Sequence, residues 1–286
     1  MYIRIYSRLC FVIVRFSLLA ILYITSSNSA LANLIVIPTR VILDNARTAE
    51  VQLINQSTSE KTYRITLEKL NMLPDGTYEK VDVENVSEII PPGILRFSPR
   101  QTTLKPNEKQ TIRIMKMRRD QNTEYQIHML FREVPHRNTG IQLERKKGEL
   151  KEFQARVVPI FGVSIPVIIR YGNTLANLEI RDVKILKSTR KDDPGWEMNL
   201  QVTRSGNASV IGNLDINLML EDDKKRPVGY LKEVGIYQST PYRNMKIKLD
   251  LAESFSPSGR SFFISYSDAE SKNSSKILTQ KIFVAP

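Results

Sequence analysis

A long apolar ribbon carrying two prolines constrains this chain more than any other feature. Ala155, Val157, Pro159, Phe161, Val163, Ile165, Val167 and Ile169 fall on one alternation, and Val158, Ile160 and Ile168 make the other face apolar too. Residues two apart share a face of a strand, so the pattern predicts a strand that is oily on both sides. Each proline, Pro159 and Pro166, removes a backbone N–H that a sheet ladder would use, which favours an edge over a central position. An uncovered apolar edge invites pairing with another chain. The ribbon is therefore either covered by the protein itself or made to pair with a partner.

The rest of the sequence keeps the same period of two. Ala49, Val51 and Leu53 alternate with Glu50 and Gln52; Tyr63, Ile65 and Leu67 alternate with Arg64, Thr66 and Glu68. One apolar and one polar face is the signature of a half-buried antiparallel strand. Pro74-Asp75-Gly76 and Pro106-Asn107-Glu108 read as turns. Strand residues run from Gln110 to Met117, and from Tyr125 through Ile127, Met129 and Phe131 until Pro135 stops the run. A polar loop, 136–152, separates that strand from the ribbon, and loops of such length are functional or mobile. After Tyr171-Gly172-Asn173, a plausible hinge, the alternation restarts at Trp196, Met198, Leu200 and Val202 and continues to a last strand near Ile277–Val284. Short strands with turns between them predict β-sandwiches, and 286 residues suit two domains.

The first residues belong to neither domain. Arg4, Arg8 and Arg15 precede any acid, an apolar stretch runs from Phe16 to Ile24, and Ala30-Leu31-Ala32 is an A-x-A cleavage site. Residues 1–32 therefore read as a secretory signal peptide rather than a membrane anchor, because the apolar run is too short to span a bilayer. The expected mature domains are 33–171 and 172–286, with no stable membrane insertion. Cleavage removes the only cysteine, Cys10, so the mature chain has no thiol for a disulfide or a metal site. It also removes three arginines, which leaves 39 basic against 30 acidic residues, a net charge of +9 in place of +12. That charge steers acidic partners. The densest cluster, Arg145-Lys146-Lys147, lies between Glu144 and Glu149 without interleaved aromatics, which speaks against nucleic acid.

Groups for catalysis are scarce. The two histidines, His128 and His136, stand alone: one in a strand facing opposite to Ile127 and Met129, the other after a strand-ending proline. No G-x-S-x-G elbow, Walker loop or histidine pair at metal spacing occurs. Asp222 and Asp223 run directly into Lys224, Lys225 and Arg226, a charged turn rather than a calcium loop. The residues predict a binding protein without cofactors, not an enzyme.

Several segments carry a resemblance. Ile37-Pro38-Thr39-Arg40-Val41-Ile42-Leu43, and then Val51-Gln52-Leu53-Ile54-Asn55, resembles the opening of the periplasmic chaperones of chaperone–usher pili. Glu124 to Pro135 is similar to that family's strand before its long loop, and Val163 to Arg170 to the end of its donor strand. Order and spacing agree from Leu34 to Arg170; the second half matches more weakly, chiefly at Tyr266-Ser267-Asp268.

The resemblance implies an all-β chain of two immunoglobulin-like β-sandwich domains in a boomerang arrangement. It implies a periplasmic chaperone that caps pilus or fimbrial subunits by donating an edge strand and passes them to an outer-membrane usher. In that mode main-chain hydrogen bonds give affinity and alternate side chains fill pockets. By position, Val157, Pro159, Phe161 and Val163 would enter the subunit, and Arg40 would hold its C-terminal carboxylate with a planar two-pronged fork. Glu124, Arg170 and Asp268 would form a charge set fixing the angle between domains. One position departs from the pattern: Pro166 stands where the family has a second, lysine anchor, with Arg96 and Arg100 as candidate substitutes. The alternative is an immunoglobulin-like structural or adhesive surface protein that uses its edge for association.

Overall fold

The computed structural model describes residues 34–82, 91–118, 121–135, 160–189, 193–269 and 276–286. They form eighteen strands in chain order. The first eleven are β1 (Leu34–Ile37), β2 (Val41–Leu43), β3 (Thr48–Asn55), β4 (Lys61–Glu68), β5 (Leu70–Met72), β6 (Tyr78–Lys80), β7 (Leu95–Ser98), β8 (Gln101–Leu104), β9 (Lys109–Lys116), β10 (Thr123–Val134) and β11 (Gly162–Tyr171). The remainder are β12 (Ala176–Lys187), β13 (Trp196–Gly206), β14 (Val210–Met219), β15 (Lys225–Ile236), β16 (Tyr242–Leu249), β17 (Ser261–Asp268) and β18 (Ile277–Val284). Apart from one short 3-10 turn at Glu221–Asp223, the described residues are all β and loop.

Two immunoglobulin-like sandwiches result. The first packs a four-stranded sheet, β1-β3-β9-β7, on a five-stranded sheet, β2-β11-β10-β4-β8. The second packs β12-β13-β16 on β15-β14-β17-β18. Each has its own core. Val51, Leu53, Ile112, Ile114, Ile127, Met129 and Phe131 lie in the first; Met198, Val202, Leu214, Ile216, Phe262 and Ile264 lie in the second. Burying a side chain of this size contributes about 1.5–3 kcal/mol relative to leaving it exposed, which is why the alternation sets the strand faces. A polar exception beside the first core is Asn55, whose amide donates to the carbonyls of Ser59 and Leu104 and accepts from Ser57 N.

β10 and β11 are the strands that position the site. They run antiparallel with Glu124 opposite Arg170, His128 opposite Pro166 and Phe131 opposite Val163. Ile127, Met129 and Phe131 face the core, as their alternation predicts. The opposite face, with Glu124, Gln126 and His128, is buried as well. Two elements cover it: the second sandwich and the β5–β6 hairpin.

The hairpin turns at Pro74-Asp75-Gly76, where Asp75 accepts from the N–H and hydroxyl of Thr77. Gly76 takes φ +87°, and a Cβ there would sit 2.5 Å from the Arg243 guanidinium, so glycine suits both the turn and the close approach. The hairpin then docks on the second sandwich. Thr240 Oγ1 donates to Met72 O at 2.6 Å, and Asn244 N donates to Pro74 O at 2.7 Å. Met72, Ile168, Ile211 and Tyr237 form a small third core at this junction, with Ile42 packed against it.

Candidate functional site

The five-stranded sheet of the first sandwich turns one face toward the second, and its rows of side chains define the site. Arg170 and Glu124 make one row. The next holds Ile42, Ile168 and Gln126, and the third holds Pro166, His128 and Glu68. β2 runs parallel to β11 with Val41 opposite Val167, so Arg40, one residue before the ladder, enters beside Pro166. Four residue steps along β11, from Pro166 to Arg170, separate the two arginine rows, roughly 13 Å of extended chain.

At the first row, Arg170 Nε donates to Glu124 at 3.0 Å and Nη2 donates to Ser209 O at 2.8 Å. Ser209 N in turn donates to both oxygens of Glu124 at 3.0 Å, and the serine hydroxyl bonds the same carboxylate. Ser209 lies just before β14, so the buried ion pair is shared between the sandwiches. Asp268, expected in the same set, ends β17 opposite Gly212, and its N–H donates to Lys276 O at 2.9 Å.

At the third row the chemistry is different. Arg40 Nη2 donates to the Glu233 carboxylate at 3.1 Å and to Glu233 O at 3.2 Å. Its other terminal nitrogen, Nη1, is buried and has no hydrogen-bond partner among the described residues. The Arg40 side chain is 23% exposed and that of Glu233 65%. Glu233 reaches it from a β-bulge: Gly212 pairs with Val234 and Leu214 with Leu231, so Lys232 and Glu233 together oppose Asn213. Glu233 takes φ +52°, and its N–H is caught by Asn213 Oδ1 at 3.0 Å. Sequence inspection gives no sign of Glu233, because nothing in its neighbours marks a bulge.

The rest of the third row carries His128, opposite Glu68 on β4. His128 packs edge-on against Tyr78 of the hairpin, ring centroids 5.2 Å apart, and neither of its nitrogens has a hydrogen-bond partner among the described residues. Burial pushes its imidazole down to about 4, with the nearby Lys69 ammonium adding to the shift. The side-chain amide of Gln126 is likewise buried and unpaired among the described residues, in a junction cavity of about 430 Å³ that Lys69, Gln238 and Ser239 also line. Of the two substitutes considered for the missing lysine, Arg100 lies over the Phe97 ring at 4.8 Å and Arg96 is on β7, paired with Met115.

The ribbon divides into three parts. Val157 and Pro159 lie outside the described residues. Ile160 and Phe161 are 52% and 60% exposed, although Phe161 O still accepts from Glu133 N of β10 at 3.1 Å. Val163 is half-buried against the first core. From Val167 to Ile169 the strand is flanked on both sides, by β10 and by β2. The sequence favours an edge along the whole ribbon. Among the described residues the edge extends only to Pro166, because β2 covers the strand from Val167 onward. Pro166 thus sits just before the second neighbour begins.

Among the described residues, no helix is long and apolar enough to cross a membrane, and no three metal-ligating side chains gather. No protein-family model matches the chain, and no curated protein matches it in sequence. Solved structures do. The class 5 fimbriae chaperone CfaA aligns at 14% identity over 89% of this chain and 99% of its own, with a TM-score of 0.47. The CupB2 chaperone of Pseudomonas aeruginosa aligns at 14% identity over 88% of this chain and all of its own (100%), with a TM-score of 0.43. The E. coli chaperone DraB aligns at 10% identity over 88% of this chain and 96% of its own, with a TM-score of 0.40. The solved structures to which this chain is similar along most of its length thus include several chaperones, one of them a fimbriae chaperone.

Proposed function

We propose that this protein is a periplasmic chaperone of the chaperone–usher type, exported by the signal at 1–32, which caps pilus subunits and hands them to an outer-membrane usher. Its working parts are the domains 33–171 and 172–286, set as a boomerang whose angle is held by Glu124, Arg170 and Asp268. It performs no catalysis. It lends Val157, Pro159, Phe161 and Val163 to the open groove of a subunit, and Arg40 takes the subunit's terminal carboxylate. The observation that carries this reading is the half-open strand: Ile160 and Phe161 project into solvent on a segment that β10 still pairs on one flank. A second chain added on the other flank would meet main-chain groups and apolar side chains together. The unused Nη1 of Arg40 supports the anchor, since a carboxylate can take both prongs of a guanidinium.

Recovery of the tagged full chain from the envelope of its host tests this. The native chain should bring down a small β subunit at equal stoichiometry. Phe161→Asp should abolish that complex, because a carboxylate would have to enter an apolar pocket. Arg40→Ala should lower recovery by about tenfold or more, the worth of one shielded charge-assisted bond. A chain that returns alone, or only with copies of itself, supports a structural or adhesive protein instead. Equal recovery with both variants rules the chaperone reading out.

A further inference from the structure

We propose that Glu233 is an internal placeholder for the carboxylate that Arg40 receives, so that capture is an exchange of one carboxylate for another. The inference rests on the reading of Arg40 as the anchor and adds how that anchor is kept when no subunit is present. Three observations point to it. First, Glu233 occupies only one prong of the fork: its carboxylate meets Nη2, while Nη1 stays buried and unpaired among the described residues. A buried guanidinium nitrogen without an acceptor is costly, so the unliganded site is incomplete by one oxygen. A carboxylate arriving with two oxygens can satisfy both nitrogens at once, which Glu233 does not do.

Second, Glu233 is delivered by a strained device. It is a non-glycine residue at φ +52° in a two-against-one bulge, and bulges re-aim side chains next to functional sites. The Asn213 side chain holds the bulge by accepting from Glu233 N. Strain of this kind persists where the surroundings enforce it.

Third, the contact is easy to break. Glu233 is 65% exposed, so its carboxylate can return to water with little loss. Exposed ion pairs of this type are weak. The pair occupies the guanidinium when no ligand is present and is weak enough to yield to a carboxylate that brings a whole strand with it. Displacement also releases a contact between the two sandwiches at the rim of the cleft, while the buried Glu124–Arg170–Ser209 contact remains.

The test uses the full mature chain and a defined probe, N-acetyl-triglycine with a free terminal carboxylate, against its carboxamide twin. Binding is monitored through the backbone amide NMR signals of Val41, Ile42 and Leu43, which the native chain and every variant retain. Glu233→Gly is the informative variant, since glycine accepts the positive φ and removes only the carboxylate; Glu233→Gln is the second. Both should bind the carboxylate probe roughly two- to fivefold more tightly than the native chain, the worth of an exposed pair. Neither should gain for the carboxamide. The unfolding midpoint of Glu233→Gly should stay level or rise, and Arg40→Ala should not bind the probe.

If the Glu233 variants bind no better than the native chain while Arg40→Ala loses binding, the anchor stands and the placeholder falls. A clear drop in the unfolding midpoint of Glu233→Gly would make the pair a structural clasp and overturn the proposal. Undiminished binding by Arg40→Ala, or no binding by any form, removes the anchor and the placeholder together.

Discussion

Arg170 and Arg40 both reach from the first sandwich to the second, and they do so in opposite ways. Arg170 is buried against Glu124, whose carboxylate is also saturated by the N–H and hydroxyl of Ser209. Arg40 meets one exposed carboxylate with one prong and leaves the other nitrogen unpaired among the described residues. A saturated buried pair has no remaining capacity for a ligand; its value is to fix geometry, because desolvation offsets much of its Coulombic gain. A half-used guanidinium at the rim has the reverse character: it contributes little to folding and retains capacity to bind. The difference separates a saturated buried contact from a half-used exposed one within one face of one sheet.

The comparison can be broken most directly at Arg170. Arg170→Met leaves the Glu124 carboxylate buried without its cation, and thermal or denaturant unfolding should show a loss of about 3–5 kcal/mol. The double variant Glu124→Met with Arg170→Met should recover most of it. If the single variant is no less stable than the native chain, the pair is not a buried structural contact.

His128 sharpens the contrast, because it belongs to the row that Arg40 enters. Its folded pKa, near 4, lies below the ordinary 6.5, and the cause is burial first and Lys69 second. The unfolded chain takes up a proton near pH 6.5 while the folded chain resists until about pH 4. Stability is therefore fully present above pH 6.5 and falls by about 3 kcal/mol as the pH drops through that window. His128→Phe should flatten the slope, measured as unfolding free energy against pH. An unchanged slope would place the proton uptake elsewhere.

The smallest effect is expected at Arg40 itself. Arg40→Ala should change the unfolding free energy by less than about 1 kcal/mol, because its partner is exposed. A loss as large as that of Arg170→Met would erase the distinction between the two arginines.

Much of the fold was readable from alternation. Ile127, Met129 and Phe131 announce the inner face of β10, and Pro74-Asp75-Gly76 marks the hairpin turn. The site was readable only in part. Arg40, Glu124 and Arg170 could be singled out, but the rest of the polar face of β10 gave no hint of its burial: Gln126 and His128 look like solvent-facing residues. They are covered because the hairpin and a second sandwich lie over them, and period two records only which residues share a face, not what stands opposite. Lys69 and Glu233 carried no local signal, since each acquires its partner from a segment far away in sequence.

The sequence by itself therefore determined the alternating core strands and the two-faced ribbon, since those arise from which side chains leave water together along a local period. The tertiary structure alone decided where the ribbon stops being an edge, which arginine is saturated, and which carboxylate meets the other. Those depend on the packing of two sandwiches and a hairpin across one face, and such contacts join residues with no fixed spacing along the chain.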